Sequence, residues 1–461
     1  MMTTSLADAV REAGASRVLT PDDADYTAEL SAFNLAIRQT PEVVVAAQSV
    51  ADVTAAVDAA RGAGAPLVVL GLGHGVLRDT DRGIAVSTRG LASVDVDLDA
   101  RTARIGAGTT WNEVLAAVTP HGLAALNGSA PGVGVMGYLL GGGLGPIARS
   151  YGFAADHVRA FEIVTPADGA ITVDADSHPD LFWALRGGKG GFGVVTAVTI
   201  DLFPIAEFYG GGLFFPDTDV RSVLEAFSDW STGLPDTVTA SIALLRLPPL
   251  PDLPEPIRGR FVAHVRYAAL TSAEEAERIL APIRAAGSPL LDAIGVMPYA
   301  AIGMIHADPV TPLAATEGGL TLSSFGRDAV DALLAAAGPE VDVPLIAVEV
   351  RVLGGAVGRE PEIPNAIGGR DSAYGVHVVG APVPELLETV IPQVIRGVFA
   401  ALAPWQAPVS MINFVGRSNE PGQVERSWSA EQNDRLDRVR AAVDPDGLLP
   451  FGRHGAPATT A

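Results

Sequence analysis

Hydrophobic residues in the first half of the chain alternate between the spacing of strands and the spacing of helices. β-Branched runs at 43–46 and 67–70 enclose the segment 50–62, where apolar residues recur with a helical period behind Ser49, a candidate N-cap. The same patterns predict paired strands at 94–107, helices at 111–118 and 179–185, a hairpin at 161–174 and a strand at 194–203. We therefore expect mixed strands and helices in this half.

The pattern changes after Pro204, where longer helices alternate with strands. The predicted helices are 220–230, 272–286, 328–337 and 384–402, and the predicted strands are 237–245, 260–267, 345–353 and 373–379. This order favours an α+β layer architecture, with helices covering one face of a sheet. Because the segment from Trp405 is too short for a domain of its own, we predict domains at 1–206 and 207–404, with residues 405–461 returning to the first.

A stretch between Gly128 and Gly145 contains eight glycines in eighteen residues. Its Gly132–Gly137 part matches the dinucleotide pattern G-x-G-x-x-G, which requires a preceding strand and a helix that opens from it. Pro131 precedes the pattern and Gly141–Gly143 follow it, so we predict an extended loop and no Rossmann site. The backbone N–H groups of such a loop can face a pyrophosphate, and its interleaved apolar residues indicate a large buried cofactor.

The composition excludes several classes of chemistry. The chain has no cysteine, which rules out disulfides, thiolate nucleophiles and Fe–S clusters, and its eight histidines lack metal-ligand spacing, so we expect no metal. A net charge of −22 disfavours nucleic acid as a partner. No apolar run is long enough to span a membrane, and Met1–Asp8 lacks the features of a secretory signal, so we expect a cytoplasmic protein without membrane association.

Several motifs together resemble the FAD-linked oxidases of the vanillyl-alcohol oxidase type, within them the berberine-bridge-enzyme-like branch. The resemblance is strong over 40–205 and moderate over 405–453. The motifs that carry it are Gly73-His74 after a strand, Gly128–Gly134, Leu140–Gly145, Tyr151-Gly152, Asp156, Asp180–Gly188, Gly191–Thr196, Glu349–Ala356, Asn413-Phe414, Asn433–Leu436 and Asp444-Pro445.

The resemblance implies a bipartite FAD-binding domain of the PCMH type, formed by the N- and C-terminal segments, beside an α+β substrate domain with an antiparallel sheet. It also implies that His74 attaches covalently to the flavin 8α-methyl group. A neutral imidazole on an exposed loop at a strand end is a suitable nucleophile. The residues carried over as FAD-binding are Gly71, Leu72, Gly73, His74, Gly75, Gly128, Ser129, Ala130, Val133, Gly134, Gly137, Gly142, Gly143, Tyr151, Asp156, Gly193, Val194 and Asn413.

The chain departs from the family pattern at three positions. Ala130 replaces the cysteine that many relatives use as a second flavin attachment, so a single histidyl attachment is expected. Leu70 stands where the family's Arg-Ser-Gly-Gly-His loop begins with arginine. Met411 replaces a tyrosine that serves relatives as a substrate contact or base, so tyrosine-based catalysis cannot be carried over.

Candidates for managing the substrate proton lie in the second domain. Glu349 and Arg351 share one face of a predicted strand, as either an interface salt bridge or an active-site pair. Tyr374 follows a segment similar to the family's Arg-x-x-x-Tyr stretch. We take Glu349 as the base, oriented by Arg351 or Tyr374. No partner is evident for His264 or His306, for which an ordinary structural role is expected.

We therefore predict an FAD-dependent oxidase of secondary metabolism that takes hydride from a C–OH or C–NH carbon of a small-molecule substrate. Valine at the position of Val133 favours oxidases in this family, which indicates dioxygen as acceptor and hydrogen peroxide as product. The alternative is a flavoprotein cyclase or other natural-product tailoring enzyme without net redox turnover, consistent with Met411 in place of the tyrosine. A flavin-binding protein without catalytic activity is a further alternative.

Overall fold

A small sheet and three helices form the first lobe of the computed structural model, which describes residues 5–417 and 422–451. The sheet order is β1-β2-β4-β3, with all pairs parallel except β1–β2. Its strands are β1 (Val18–Leu19), β2 (Val43–Ala46), β3 (Leu67–Leu70) and β4 (Ile84–Ser87), and its helices are α1 (Leu6–Glu12), α2 (Tyr26–Leu30) and α3 (Val50–Ala63). Ser49 caps α3 as predicted, accepting from the Asp52 backbone N–H, and Gly64 ends the helix in a left-handed conformation.

A five-stranded antiparallel sheet of order β5-β6-β9-β7-β8 forms the second lobe. Its strands are β5 (Val94–Asp97), β6 (Thr102–Gly106), β7 (Val158–Thr165), β8 (Gly169–Asp174) and β9 (Val194–Asp201), with helices α4 (Trp111–Val118), α5 (Val135–Leu140), α6 (Ala148–Tyr151) and α7 (Pro179–Leu185). A reciprocal capping box between Thr110 and Glu113 starts α4. The bounds of α4 and α7 are those predicted.

Helix α5 corrects the prediction of an extended glycine-rich loop. It opens at Gly134 and buries Val135, Met136 and Leu139. The glycines taken as helix-breaking lie beyond its end, where Gly142 and Gly143 have positive φ. They terminate the helix without preventing it. Because the segment before Gly134 is no strand, the exclusion of a Rossmann site stands.

An eight-stranded antiparallel sheet with helices on one face forms the second domain. Its order is β13-β10-β12-β11-β16-β17-β15, and β14 also pairs with β10. The strands are β10 (Glu207–Pro216), β11 (Val238–Arg246), β12 (Phe261–Ala269), β13 (Leu291–Asp292), β14 (Gly295–Pro298), β15 (Glu317–Leu322), β16 (Leu345–Val352) and β17 (Tyr374–Gly380), and the helices are α8 (Val220–Ser231), α9 (Ala273–Arg284), α10 (Arg327–Ala337) and α11 (Val390–Leu402).

Strand alternation gives this sheet one apolar and one polar face. On β16, Val348, Val350 and Val352 join the helix-covered core, so Glu349 and Arg351 face the other way. The prediction for α11 is wrong at its start, because residues 384–389 form turns. Strands β10 and β15 were not predicted, since the glycine runs within them break the apolar pattern.

The C-terminal segment packs against both lobes of the first half. Helix α12 (Ala430–Val443) places Leu436, Val439 and Val443 in the core of the second lobe. The Leu67 backbone N–H donates to the Leu448 carbonyl at 2.7 Å, beside the first sheet. Residues 1–4, used for the expectation about a secretory signal, and 452–461 of the predicted C-terminal segment lie outside the described residues.

Arg149 links the second lobe to the second domain. Its buried guanidinium donates to the carbonyls of Leu234 and Val238 at 2.8 Å each and to the carbonyl of Leu353. Buried charges require such partners, so the two halves meet through a fixed polar contact. Across residues 5–417 and 422–451, no helix is long and apolar enough to cross a bilayer, and no three His, Asp or Glu side chains form a metal-binding group.

Candidate functional site

His74 lies in the loop Gly71–Gly75, directly after β3. Its ring stacks on Phe33 with 3.8 Å between centroids, and its buried Nδ1 has no hydrogen-bond partner among the described residues. Burial lowers the pKa of His74 to about 4, although Glu317 acts in the opposite direction. The imidazole is therefore neutral at pH 7 and retains a lone pair for bond formation.

The backbone around His74 is tightly positioned. Gly73 has a φ of 76°, and a Cβ there would overlap Ala32. The N–H groups of Phe33 and Asn34 donate to the carbonyls of Leu72 and Gly73 at 3.2 and 3.3 Å. The loop is thus fastened to the neighbouring segment, which fixes the direction of the His74 side chain.

The glycine-rich segment leaves open space beside α5. A Cβ at Gly71, Gly132 or Gly137 would meet nothing within 4 Å, so the protein leaves these backbones accessible to a ligand. The remaining predicted residues here, Gly128, Ser129, Ala130, Val133, Gly134, Gly142 and Gly143, surround this helix or precede it. Open glycine backbones and an unpartnered buried imidazole in one region fit a large planar cofactor.

Asn413 and Lys189 meet beside the C-terminal half of α5. Lys189 Nζ donates to Asn413 Oδ1 at 2.7 Å and to the Gly137 carbonyl at 2.9 Å. Asn413 Nδ2 donates to the Tyr138 carbonyl at 2.9 Å. The C-terminal segment therefore contributes a polar side chain to the glycine-rich helix.

Four of the predicted FAD-binding residues have partners within the protein. The buried Asp156 carboxylate pairs with Arg370 and accepts from Asn365 Nδ2 at 2.7 Å, so it ties the second lobe to the second domain. The Tyr151 ring packs on Phe203 at 4.5 Å. The FAD contacts predicted for these two residues stay predictions. The other two, Gly193 and Val194, lie at the start of β9, where a Cβ on Gly193 would press on Val164 and the Val194 side chain is fully buried.

A buried charged cluster occupies the polar face of the large sheet. Glu349 accepts from Ser241 Oγ at 2.6 Å, from Arg266 Nη1 at 2.8 Å and from Arg351 Nη2 at 2.8 Å. His306 Nε2 lies 3.4 Å from Glu349 Oε1. The Arg351 and Arg266 guanidiniums hold the pKa of Glu349 well below its usual range, despite the opposing effect of burial.

This cluster reaches the glycine-rich segment of the first domain. Asp308, two residues after His306, accepts from Ser129 Oγ at 2.7 Å. Burial, together with Arg266, lowers the pKa of His306, and neither of its ring nitrogens has a hydrogen-bond partner in the part of the chain that the structure describes. Sequence reasoning missed Arg266 and His306; the signal for Arg266 was its alternation with His264 in an apolar strand.

Tyr374 does not belong to this cluster. It pairs with Val352 in register and therefore lies on the helix-covered face, where its hydroxyl is 2.8 Å from Ser231 Oγ. The prediction that Tyr374 orients Glu349 is wrong. Tyr374 is in register with Val352 and shares its face of the sheet, whereas Glu349 and Arg351 lie on the opposite face.

Two cavities border the cluster and share Arg351. The first lies between the sheet and Pro146 and is lined by Ser241, Arg266 and His306. The second is lined by Glu349, Arg351, Leu144, His377, Met411 and Phe414. Met411, which replaces the family's tyrosine, thus faces the same space as the charged pair.

The glycine loops and His74 fall within a segment, residues 41–174, that matches the family model described as FAD binding domain. The chain carries an FAD-binding domain. Among curated relatives of this FAD-binding chain, FAD-dependent monooxygenase FUP4 of Fusarium proliferatum is 36% identical over 207 residues, covering 44% of this chain and 40% of FUP4. (R)-6-Hydroxynicotine oxidase of Paenarthrobacter nicotinovorans is 28% identical over 300 residues, 63% of each chain.

Solved structures confirm the fold over nearly the whole length. BBE-like 1 of Physcomitrella patens superposes with a TM-score of 0.83 at 19% identity, covering 99% of this chain and 100% of that one. Glucooligosaccharide oxidase of Acremonium strictum, which carries a 6-S-cysteinyl, 8α-N1-histidyl FAD, gives 0.82 at 19% identity with the same coverage. The predicted resemblance to berberine-bridge-like FAD-linked oxidoreductases and the predicted fold class are therefore confirmed. The matched segments span only 40% of FUP4 and 63% of (R)-6-hydroxynicotine oxidase.

Proposed function

We propose that this chain is an FAD-dependent oxidase that takes hydride from a C–OH or C–NH carbon of a small molecule. When bound, FAD supplies the hydride acceptor and passes the electrons to dioxygen, with hydrogen peroxide as product. The observation that carries the proposal is His74, a neutral imidazole in a tightly held loop beside open glycine backbones, whose Nδ1 has no hydrogen-bond partner among the described residues. Its placement supports a single covalent attachment through Nδ1.

Ala130 limits the attachment to one bond. Acremonium glucooligosaccharide oxidase carries both a cysteinyl and a histidyl bond, whereas the present chain has no cysteine anywhere. Val133 is half-buried in the same segment and supports dioxygen as acceptor, on the family pattern. The name of the 6-hydroxynicotine oxidase relative also favours an oxidase and a substrate with a C–N bond.

We further propose that His306 accepts the substrate proton and that Glu349 positions it. A carboxylate held by two guanidiniums is a weak base, because protonation would cost both ion pairs. His306 is neutral, buried and lines the first of the two cavities, and Glu349 Oε1 lies within reach of its Nε2. This revises the sequence-based hypothesis, in which Glu349 itself was the base.

The proposed oxidase activity is tested with the purified yellow protein under anaerobic conditions. A panel of alcohols, amines and oligosaccharides should contain a compound that bleaches the flavin, and admitting air should restore the colour with stoichiometric peroxide. Bleaching without peroxide would indicate a dehydrogenase. Product formation from a natural-product scaffold without bleaching would favour the cyclase, which Met411 at the cavity wall keeps as the second candidate.

A further inference from the structure

Lys189 is the single lysine of the chain, against thirty arginines, and it lies where the FAD-binding segments converge. Its Nζ bonds to α5 through the Gly137 carbonyl and to the C-terminal segment through Asn413. A Cβ on Gly75, next to His74, would lie 3.4 Å from the same Nζ. Three segments that the family resemblance marks for FAD therefore meet at one ammonium group.

The charge of Lys189 is not balanced by the protein. Both hydrogen-bond partners are neutral oxygens, and none of the described carboxylates acts on the charge of Lys189. An ammonium has three N–H donors, so one remains for a further acceptor. Burial lowers the pKa of Lys189 to about 8, as expected for a cation without a counter-ion.

The backbone at Lys189 is also unfavourable for a residue with a side chain. Its φ of 71° lies in the left-handed region, which residues with a Cβ rarely adopt, and glycines flank it on both sides. A strained position that holds an unbalanced charge points to a function. With a net charge of −22, the chain also needs a local cation to receive an anionic cofactor.

We propose that the Lys189 ammonium is the counter-ion of a negatively charged group of bound FAD. The group is either the pyrophosphate or the N1–C2=O edge of the reduced ring, which share the chemistry of an oxygen-rich anion. The inference rests on the FAD-binding half of the proposed function and adds a residue outside every family motif quoted above.

The first test uses the uniqueness of Lys189 as an amine. The FAD-loaded protein and a His74→Ala protein from which the non-covalent FAD has been removed are treated with sulfo-N-hydroxysuccinimide acetate at pH 8. Acetylation of Lys189 is followed by peptide mass spectrometry, with the α-amine as internal reference. We expect FAD to slow acetylation of Lys189 at least tenfold. Protection of the flavin-free form by inorganic pyrophosphate would place the contact at the pyrophosphate, and its absence at the ring edge. Equal acetylation with and without FAD would overturn the proposal.

The second test compares Lys189→Met with Lys189→Arg, which keeps the charge. Arg101→Met is the matched control, because Arg101 is an exposed cation with a φ of 50°. We expect Lys189→Met to lower the FAD occupancy or make the flavin midpoint potential more negative, Lys189→Arg to restore the wild-type value, and the control to change neither. If Lys189→Met matched wild type in both measurements, the proposal would fail; wild-type protein without any flavin would instead defeat the proposed function itself.

Discussion

His74 differs from an exposed histidine in two respects that bear on its chemistry. Its ring is held by stacking on Phe33, and burial keeps it neutral well below pH 7. A raised neutral fraction is favourable for a nucleophile, and an Nδ1 without a hydrogen bond needs no partner to be displaced first. At the scale of single residues, these properties support the proposed covalent bond at Nδ1.

Replacing His74 with alanine is expected to convert bound FAD from acid-stable to acid-extractable. The reason is that the chain has no cysteine to form a second bond. Protein precipitated with trichloroacetic acid should remain yellow for wild type and become white for His74→Ala, while the supernatant gains the flavin absorbance. His157→Ala, a histidine paired with the Tyr151 carbonyl, is the control and should stay yellow. A white wild-type pellet would show that FAD is bound without a covalent bond.

The pH dependence of flavin reduction separates His306 from Glu349 as the base. The groups that face His306 are Glu349, Arg266, His264 and Asp308. Since the His306 pKa is lowered from its ordinary value, the imidazole is neutral above that lowered pKa, and the reduction rate should decline only as pH falls through it.

For this test, His306→Gln should lose the acidic limb and slow reduction by about 10²–10⁴-fold. Glu349→Gln should keep the limb but move it to lower pH, because the carboxylate that raises the His306 pKa is removed. Stopped-flow reduction by the substrate found in the panel gives both profiles. An acidic limb that disappears in Glu349→Gln and persists in His306→Gln would restore Glu349 as the base.

Helix α5 contains a glycine that lowers its helix propensity and that no contact within the protein requires. Gly137 lies exposed in its middle, where glycine is a poor helix former, and a Cβ there would touch no protein atom. Packing within the protein therefore does not explain the missing side chain, and we propose that bound FAD does.

Gly137→Ala should stabilise the flavin-free protein by about 0.5–1 kcal/mol while lowering FAD occupancy. The stabilisation follows from helix propensity, and the loss of occupancy from a methyl group in the space for the cofactor. Gly62→Ala, an exposed glycine in α3 with equally open surroundings, should give the stabilisation alone. Urea unfolding and the flavin-to-protein absorbance ratio measure the two effects; unchanged occupancy in Gly137→Ala would mean that FAD does not approach this helix.

The ends of some helices and the facing of some strand residues are determined by neighbouring residues in the sequence. Helices α4 and α7 were predicted to the residue because capping residues and Pro179 mark their ends. The facing of Glu349 and Arg351 followed from alternation alone. The partners Arg266 and His306 were beyond prediction, since strand order β12-β11-β16 and the return of residues 299–306 bring them together only in three dimensions.

At the scale of the whole molecule, the chain leaves the first half to form the large sheet and then returns, in its C-terminal segment, to pack on the first half. Leu436 of α12 is fully buried in the second lobe, and Asn413 reaches the glycine-rich helix. We propose on this basis that FAD retention requires the segment after residue 405, as the predicted domain division implies.

Truncation after Trp405 should therefore abolish flavin retention. Leu436→Ala is the milder companion change and should lower the free energy of unfolding by about 2–5 kcal/mol through a cavity in the shared core. Leu98→Ala, an exposed leucine, is the matched control and should change stability little. Absorbance at 450 nm and thermal melts check these results, and a stable, yellow truncated protein would refute the split-domain assignment.

The hydrogen bonds of Arg149 couple the thermal unfolding of the two halves of the molecule. Separating them would strand a guanidinium whose contacts are carbonyls of the opposite half, at about 1.5–3 kcal/mol for each charged hydrogen bond lost. Neither half therefore gains from melting first. Differential scanning calorimetry of the intact protein should give one peak, with calorimetric and van't Hoff enthalpies in agreement, although a chain of this size usually melts domain by domain. Arg149→Met should split that peak into two.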